Sequence, residues 1–538
     1  MIQLRYYQTE AVEAVYEHLR TRDDNPCVVL PTGCHAQDSE ILMFDGTVRR
    51  VQDVAVGDLL MGPDSRPRRV LQLSRGRGRL YRITPKRGEP FVVNEDHILS
   101  LQCTNEGKDH ADCYCRGGEI DNISVTRYLT KSKSWKHVRK LYRVGVDFPG
   151  SQQLPVPAYV LGIFLGDGYA ADGSVSVTTP DPEIVQALYD YAIGCGCSLT
   201  VNANGGRCPS YGLVNKKGRE NPILRALREL SLAGCTSGTK YIPHAYKVAA
   251  RPDRLALLAG LMDTDGSLQR TSYDYVSKSE HLARDVAFLA RSLGLAAYVR
   301  PKRARCQTGA GGVYWRVSVC GDTESIPCHV ARKQAPPRRQ KKSVLRTGFE
   351  IEPVGEGDYY GFALDGDHLY LDAGFTVHHN SGKTPVMAHI CRDAVQRWGG
   401  RVLILAHVKE LLEQTADTLS VMAPGLEVGV YCAGLNRRDT DRGVIVASIQ
   451  SIYRRADELG RFDLVMIDEV HMIPPDGEGM YRTYLEDAAL INPHIRLIGL
   501  TATPYRMKTG MICEPDHLLN EVCYEIGVKE LIADGYLC

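Results

Sequence analysis

Apolar runs near the two ends of the chain share one pattern. Residues 28–33 (VVLPTG) pass from an apolar run into a Pro/Gly turn, and 402–414 (VLILAHVKELLEQ), 443–452 (GVIVASIQSI), 462–473 (FDLVMIDEVHMI) and 498–506 (IGLTATPYR) open in the same way. Short unbroken runs of Val, Ile and Leu bounded by turn residues predict strands buried on both faces, the signature of a parallel sheet covered by helices. MIQLRYYQTEAVEAVYEHL at the start and PVMAHICRDAVQRW at 385–398 predict helices with a polar face. Inside the chain, VLGIFLGDG (160–168) and LAGLMDTDG (258–266) read as two copies of one apolar helix. Their small residues let two helices approach closely, and each copy ends in Asp then Gly.

A length of 538 residues predicts three to five domains. Hydrophobic residues at 43% and charged residues at 24% fit folded globular domains and exclude a disordered or fibrous chain. No apolar run approaches the roughly 18 residues of a membrane span, and the N-terminus lacks the form of a signal sequence. A cytoplasmic protein without membrane contact is expected. The 17 cysteines, odd in number and scattered, suit a reducing compartment better than a disulfide framework.

The run at 28–33 begins like a phosphate-binding loop, but Cys34 follows where the loop should continue. The continuation SGKT appears only at Ser381–Thr384. Joined, the halves read LPTGSGKT, with Leu30 where Gly or Ala usually stands. In such a loop Gly33, Ser381 and Gly382 present backbone N–H groups to the nucleotide phosphates, Lys383 reaches the β/γ-phosphates and Thr384 holds Mg²⁺. Asp468 and Glu469, at the end of an apolar run, would hold the metal and activate water. Gln8 with LRYYQ, PTG plus SGKT, DEVH and TATP together resemble the first motor domain of superfamily 2 DEAD/DEAH-type helicases. That resemblance covers residues 1–33 and 381–538, 191 in all, and implies an α/β parallel-sheet fold, ATP as cofactor and a nucleic-acid partner. LIADGYLC stands about where such helicases begin a second motor domain, so the arginine fingers are expected outside this sequence. The alternative is that PTG and SGKT are unrelated turns.

The intervening 347 residues open with Cys34 and close with His378, His379 and Asn380, followed by Ser381. A Cys thiolate can attack the preceding carbonyl, and Gly33 leaves that carbonyl unhindered. The thioester lies above the amide, so an acid for the leaving nitrogen and a donor to the carbonyl are needed; NEDH offers Asn94 and His97. Ser381 can then accept the acyl group, and Asn380 can cyclise onto its own carbonyl with His379 as proton donor. These features resemble an intein, a self-splicing Hint domain. The resemblance implies an all-β splicing fold, to which Gly46, Gly57 and Gly62 between Val/Leu runs are suited. It also implies splicing without a cofactor and a monomeric intein. Gly361 stands where some members carry Asp, which leaves His368 or a nearby carboxylate to activate Ser381.

A splicing domain needs far fewer than 347 residues. The paired helices, 98 positions apart, place Asp167 and Asp265 at adjacent ends, where two carboxylates can bind divalent metal. The pair resembles a LAGLIDADG homing endonuclease with two pseudo-symmetric halves, of α/β (α+β) fold. That implies Mg²⁺, double-stranded DNA as partner and, from KYIP (240–243), Lys240 as a catalytic lysine. Residues 34–380 hold 46 Lys+Arg and 37 Asp+Glu, whereas the flanks hold 19 and 27, so the formal charge of +1 conceals +9 and −8. Basic clusters at 131–143, 300–305 and 332–342 suit DNA phosphates, and the last also reads as a hinge. Cys103, His110, Cys113 and Cys115 are a weaker zinc alternative.

The expected organisation is therefore 1–33 host start, 34–155 first splicing part, 156–335 endonuclease, 336–380 second splicing part and 381–538 rest of the motor domain. The rival readings are an insertion with impaired splicing that acts mainly as a DNA endonuclease, and an ATP-driven motor active in the uncut chain.

Overall fold

The computed structural model describes residues 6–525, apart from 31–33, 96, 105–115, 151–152, 172, 204–207, 217–218, 306–310, 341, 366, 368, 380–383, 407–411, 413–414, 417–418, 421, 469, 471–472, 474–477, 502–504 and 507–509.

Segments from both ends of the chain build one eight-stranded sheet. Its order is Arg437–Arg438, Val428–Cys432, Val444–Ser448, Val402–Ala406, Leu464–Ile467, Arg496–Thr501, Pro26–Val29 and Glu521–Glu525. Every pairing is parallel except the one at the Arg437–Arg438 edge. Strand Pro26–Val29 is inserted between two strands from the far end of the chain, with Cys27 opposite Gly499 and Val28 opposite Leu500. Alternate residues face different cores: Val28, Val402 and Ile404 pack on one side, and Cys27, Val29, Leu403 and Leu405 on the other. Both faces are covered, which is why these strands read as unbroken apolar runs. Helices Tyr6–Thr21 and Thr384–Arg392 share the first face through Val12, Val15, Val386 and Met387.

The all-β part of the insertion has two main sheets. In one, His35–Ala36 lies between Phe349–Leu364 and Phe91–Asn94, and the long antiparallel pair Pro67–Pro85 with Phe349–Leu364 forms its spine. In the other, Val377–His379 pairs with Ile98–Cys103, His379 opposite Ile98. The two ends of the insertion thus meet on strands that flank residues 94–98.

Helices Ala158–Asp167 and Arg251–Thr264 lie against each other. A Cβ on Gly162 would sit 2.4 Å from the Leu257 carbonyl oxygen, and one on Gly260 would sit 2.3 Å from that of Tyr159. Only glycine permits this backbone contact. Each helix runs into a four-stranded sheet of the same strand order, with Gly168 opposite Val177 in one and Gly266 opposite Tyr275 in the other. Among the described residues no helix is long and apolar enough to cross a membrane.

Candidate active sites

At the upstream end of the insertion, Cys34 is fully buried. Its N–H donates to Asn94 Oδ1 at 2.9 Å, and the Asn94 N–H donates back to the Cys34 carbonyl at 3.0 Å. The Asn94 side chain therefore grips the nitrogen of the 33–34 peptide bond through its oxygen; the sequence offers it, with His97, for the two roles of acid at that nitrogen and donor to the carbonyl. His97, also fully buried, places Nε2 3.2 Å from His378 Nδ1, and His378 Nε2 lies 3.2 Å from Asp372 Oδ2. The result is a carboxylate–imidazole–imidazole chain. Desolvation pushes the half-buried Asp372 carboxyl up, but the hydrogen bond and charge of His378 hold it below the usual range. Asp372 accepts from His378 Nε2–H, which leaves His378 Nδ1 to accept from His97 Nε2–H. His97 Nδ1 then carries a lone pair, and it has no hydrogen-bond partner among the described residues. Burial, reinforced by His35 and His378, pushes the His97 imidazole well below its ordinary pKa and keeps it neutral. A proton added at His378 would reverse the second link and turn His97 Nδ1 into a donor. His379 is buried on the strand that leads to position 380.

At the ends of the paired helices, Asp167 and Asp265 are both open to solvent but crowded by protein. Desolvation and then the neighbouring Asp167 push the Asp265 carboxyl up to about 6, and desolvation raises that of Asp167. Carboxylates that repel each other in this way form a donor set that a divalent cation would relieve. Lys240 is buried, and desolvation lowers its ammonium to about 8. Its Nζ donates to the carbonyls of Phe164, Gly166 and Gly168 at 2.8–3.0 Å. Lys333 does the same in the other half, donating to Met262, Asp263 and Thr264 at 2.7–3.1 Å.

Three family matches divide the chain along the same lines. Residues 34–150 match the Hom_end-associated Hint family, 253–324 the LAGLIDADG-like domain and 374–506 the Type III restriction enzyme, res subunit. The chain combines a Hint intein domain, a LAGLIDADG endonuclease domain and a helicase domain. Among curated relatives, the replicative DNA helicase DnaB of Mycobacterium intracellulare is 27% identical over 343 residues, covering 59% of this chain and 53% of that protein. The homothallic switching endonuclease of Saccharomyces cerevisiae is 26% identical over 245 residues, covering 40% and 42%. A chain named as an ATP-dependent helicase, IRC3, from the same yeast is 28% identical over 167 residues, covering 29% and 23%. The chain thus spans about half the length, or less, of these relatives.

In the helicase domain, Gln8 is buried in the first helix, Thr384 opens Thr384–Arg392, and Asp468 follows strand Leu464–Ile467 with its N–H on the Leu405 carbonyl at 3.1 Å. Gly33, His368, Asn380, Ser381, Gly382, Lys383 and Glu469 lie outside the described residues. Cys103 is disulfide-bonded, so its sulfur is unavailable to a zinc set; His110, Cys113 and Cys115 lie outside the described residues. Sequence reasoning missed Asp372, His35 and the part played by His378, which carry no local motif. It also read Lys333 as part of a basic hinge. In the structure Ala331–Lys333 is a short turn within the endonuclease domain, with Arg332 paired to Asp181. Only the 98-residue repeat, which pairs the helix ends, gave a reason to look for a second lysine.

Proposed function

We propose that residues 34–380 excise themselves and join Gly33 to Ser381. The observation that carries this reading is the 3.2 Å contact between His97 and His378, which links the Cys34 end of the insertion to its Asn380 end in one buried cluster. Asn94 holds the nitrogen of the scissile bond while the Cys34 sulfur forms a bond to the Gly33 carbonyl carbon. The C–N bond breaks, and the proton given up by the Cys34 thiol passes to the His97–His378–Asp372 chain, which returns it to that nitrogen. The Ser381 hydroxyl then displaces the Cys34 sulfur, which leaves the upstream segment on oxygen. The Asn380 side-chain nitrogen attacks the Asn380 carbonyl and releases the Ser381 amine, with His379 as proton donor. That amine displaces the ester oxygen and leaves an amide.

Joining recreates LPTGSGKT between strand Pro26–Val29 and helix Thr384–Arg392, where Lys383, Thr384 and Asp468 would hold ATP and Mg²⁺. Ser381 is then acyl acceptor first and phosphate-loop residue afterwards. The endonuclease domain takes double-stranded DNA, with Asp167 and Asp265 as Mg²⁺ ligands. Bound there, the metal would stabilise charge on the oxygens of a phosphodiester. Lys240 and Lys333 fix the ends of the two helices and so the separation of the carboxylates. The domain limits are those given from the sequence, and the setting is cytoplasmic. Intact-mass measurement of the expressed chain tests the proposal: the expected products are a 347-residue piece and a 191-residue joined piece, and Cys34→Ala with Asn380→Ala keeps the 59.6 kDa chain whole. Uncut chain from the unaltered sequence would overturn it.

A further inference from the structure

Asp372 sets the direction of the proton chain at the junction. Ionised, it accepts from His378 Nε2–H and leaves His378 Nδ1 to accept from His97; protonated, it would donate to Nε2 and reverse both links. It lies beside the buried cluster of His35, His97 and His378, where desolvation favours the protonated form. The charge of His378 helps only when that ring is protonated. While its Nδ1 accepts from His97, the help has to come from a cation elsewhere.

Asp372 borders a cavity of about 730 Å³ between the Hint and endonuclease domains. Three cations on its wall are neutralised by carboxylates: Lys247 by Asp285 at 2.8 Å, Arg284 by Glu280 at 2.8 Å and Arg291 by Glu89 at 2.9 Å. Asp38 and Glu40, the other acids on the wall, are exposed, and His244 Nε2 is taken by the Asp45 carbonyl. Arg143 stands on the same wall, 8% exposed, with no carboxylate partner among the described residues. Neutral groups hold its guanidinium: Nη2 donates to the Arg87 carbonyl at 2.8 Å and Nη1 to the Tyr298 hydroxyl at 3.4 Å. Gly88 leaves room for it, since a Cβ there would lie 2.0 Å from Nη2. The Arg143 backbone bridges to Thr376, whose N–H donates to Asp372 Oδ1 at 2.7 Å. The Arg143 charge acts on Asp372 in favour of the ionised form.

We propose that Arg143 is a positioning residue for splicing, that its charge and backbone keep Asp372 ionised and aimed at His378, and that the endonuclease domain takes part by holding this arginine through Tyr298. Tyr298 belongs to strand Ala296–Arg305 of that domain, so the proton chain of one domain is steadied by a hydroxyl of the other. The effect on rate rests on the splicing reading; the protonation of His378 does not.

The test compares Arg143→Gln, Arg143→Lys and Tyr298→Phe in the full chain, once competent to splice and once made inert by Cys34→Ala and Asn380→Ala. Arg143→Gln should slow splicing about tenfold or more at about pH 6 and less at about pH 8, a part of the roughly 10²–10⁴-fold that positioned proton transfer contributes. Arg143→Lys should keep close to the parent's rate at both, with Tyr298→Phe between. In the inert chain, nitrogen NMR of labelled histidine, with His378 assigned by its loss in His378→Gln, should show a proton arriving on His378 Nδ1 at higher pH in Arg143→Gln than in the parent or Arg143→Lys. Near-UV circular dichroism establishes which variants are folded. If Arg143→Gln is not, Arg143→Lys decides: a folded lysine variant with the parent's rate supports the role of the charge, and a folded but slow one overturns it. The same His378 titration in folded Arg143→Gln and parent would also overturn the proposal. A parent that never splices would refute the splicing reading and leave the His378 titration to judge Arg143.

Discussion

His35 and His97 are neutral because burial in the junction cluster depresses both imidazoles well below their ordinary pKa. In the unfolded chain each would titrate near 6.5, so below that pH the unfolded state binds more protons than the folded one. Stability is therefore complete above about pH 6.5 and declines as the pH falls. The slope approaches about 1.4 kcal/mol per pH unit for each histidine. The depressed Asp372 carboxyl acts only at lower pH, below its unfolded value near 3.9. Thermal melts of the inert precursor between pH 7.5 and 5.5 should show this loss, and a His35→Gln, His97→Gln double variant should flatten it. His97 was legible from NEDH and the Cys34 bracket. Its partners were not, because a relay across 281 positions is a property of strand register.

The paired helices were legible as elements, since two apolar copies ending in Asp–Gly repeat at a fixed interval. Their contact rests on Gly162 and Gly260, where added side-chain carbon would strike a facing carbonyl. Gly260→Val should cost about 1–3 kcal/mol or more by forcing the helices apart. It should lower the melting temperature of the chain and abolish the Mg²⁺-dependent cutting of double-stranded DNA proposed for this domain. Asp265→Ala should abolish cutting without that loss of stability, since its carboxyl makes no packing contact of this kind and is strained by Asp167. The strands of the helicase sheet were equally legible, because continuous burial on both faces leaves a continuous apolar run. The lysine at each helix end was less so. Lys240 stands in a recognisable block, whereas Lys333 is hidden among neighbouring cations that face elsewhere.

Across the whole molecule, the endonuclease domain enters and leaves the Hint domain at one place. The Arg143 N–H donates to the Leu345 carbonyl at 3.0 Å, so the two chain crossings are a hydrogen bond apart. Replacing 151–343 by a short flexible linker should leave Pro67–Pro85 paired with Phe349–Leu364 and the junction cluster intact. Intact-mass measurement should then show continued splicing, slowed by the exposure of Phe44 and Phe375, which pack beside Val248 and Phe288 in the full chain. The host sheet makes a related point. Strand Pro26–Val29 is already seated between Arg496–Thr501 and Glu521–Glu525 with the insertion present, so excision would close a loop and not refold a domain.

Local patterns were written in the sequence: the VVLPTG and SGKT segments, the Cys34 and Asn380 bracket, the twin helices and the opposed charges of 34–380 and its flanks. Each depends on residues close together in the chain, where spacing alone fixes geometry. Tertiary structure decided what spacing cannot. It made Asn94 an acceptor for the Cys34 N–H, tied His97 to His378 and Asp372, brought His35 to the same point and turned Lys333 inward. Those relations follow from which strands pair and in what register, and register is set by burial over the whole sheet and not by any short stretch of residues.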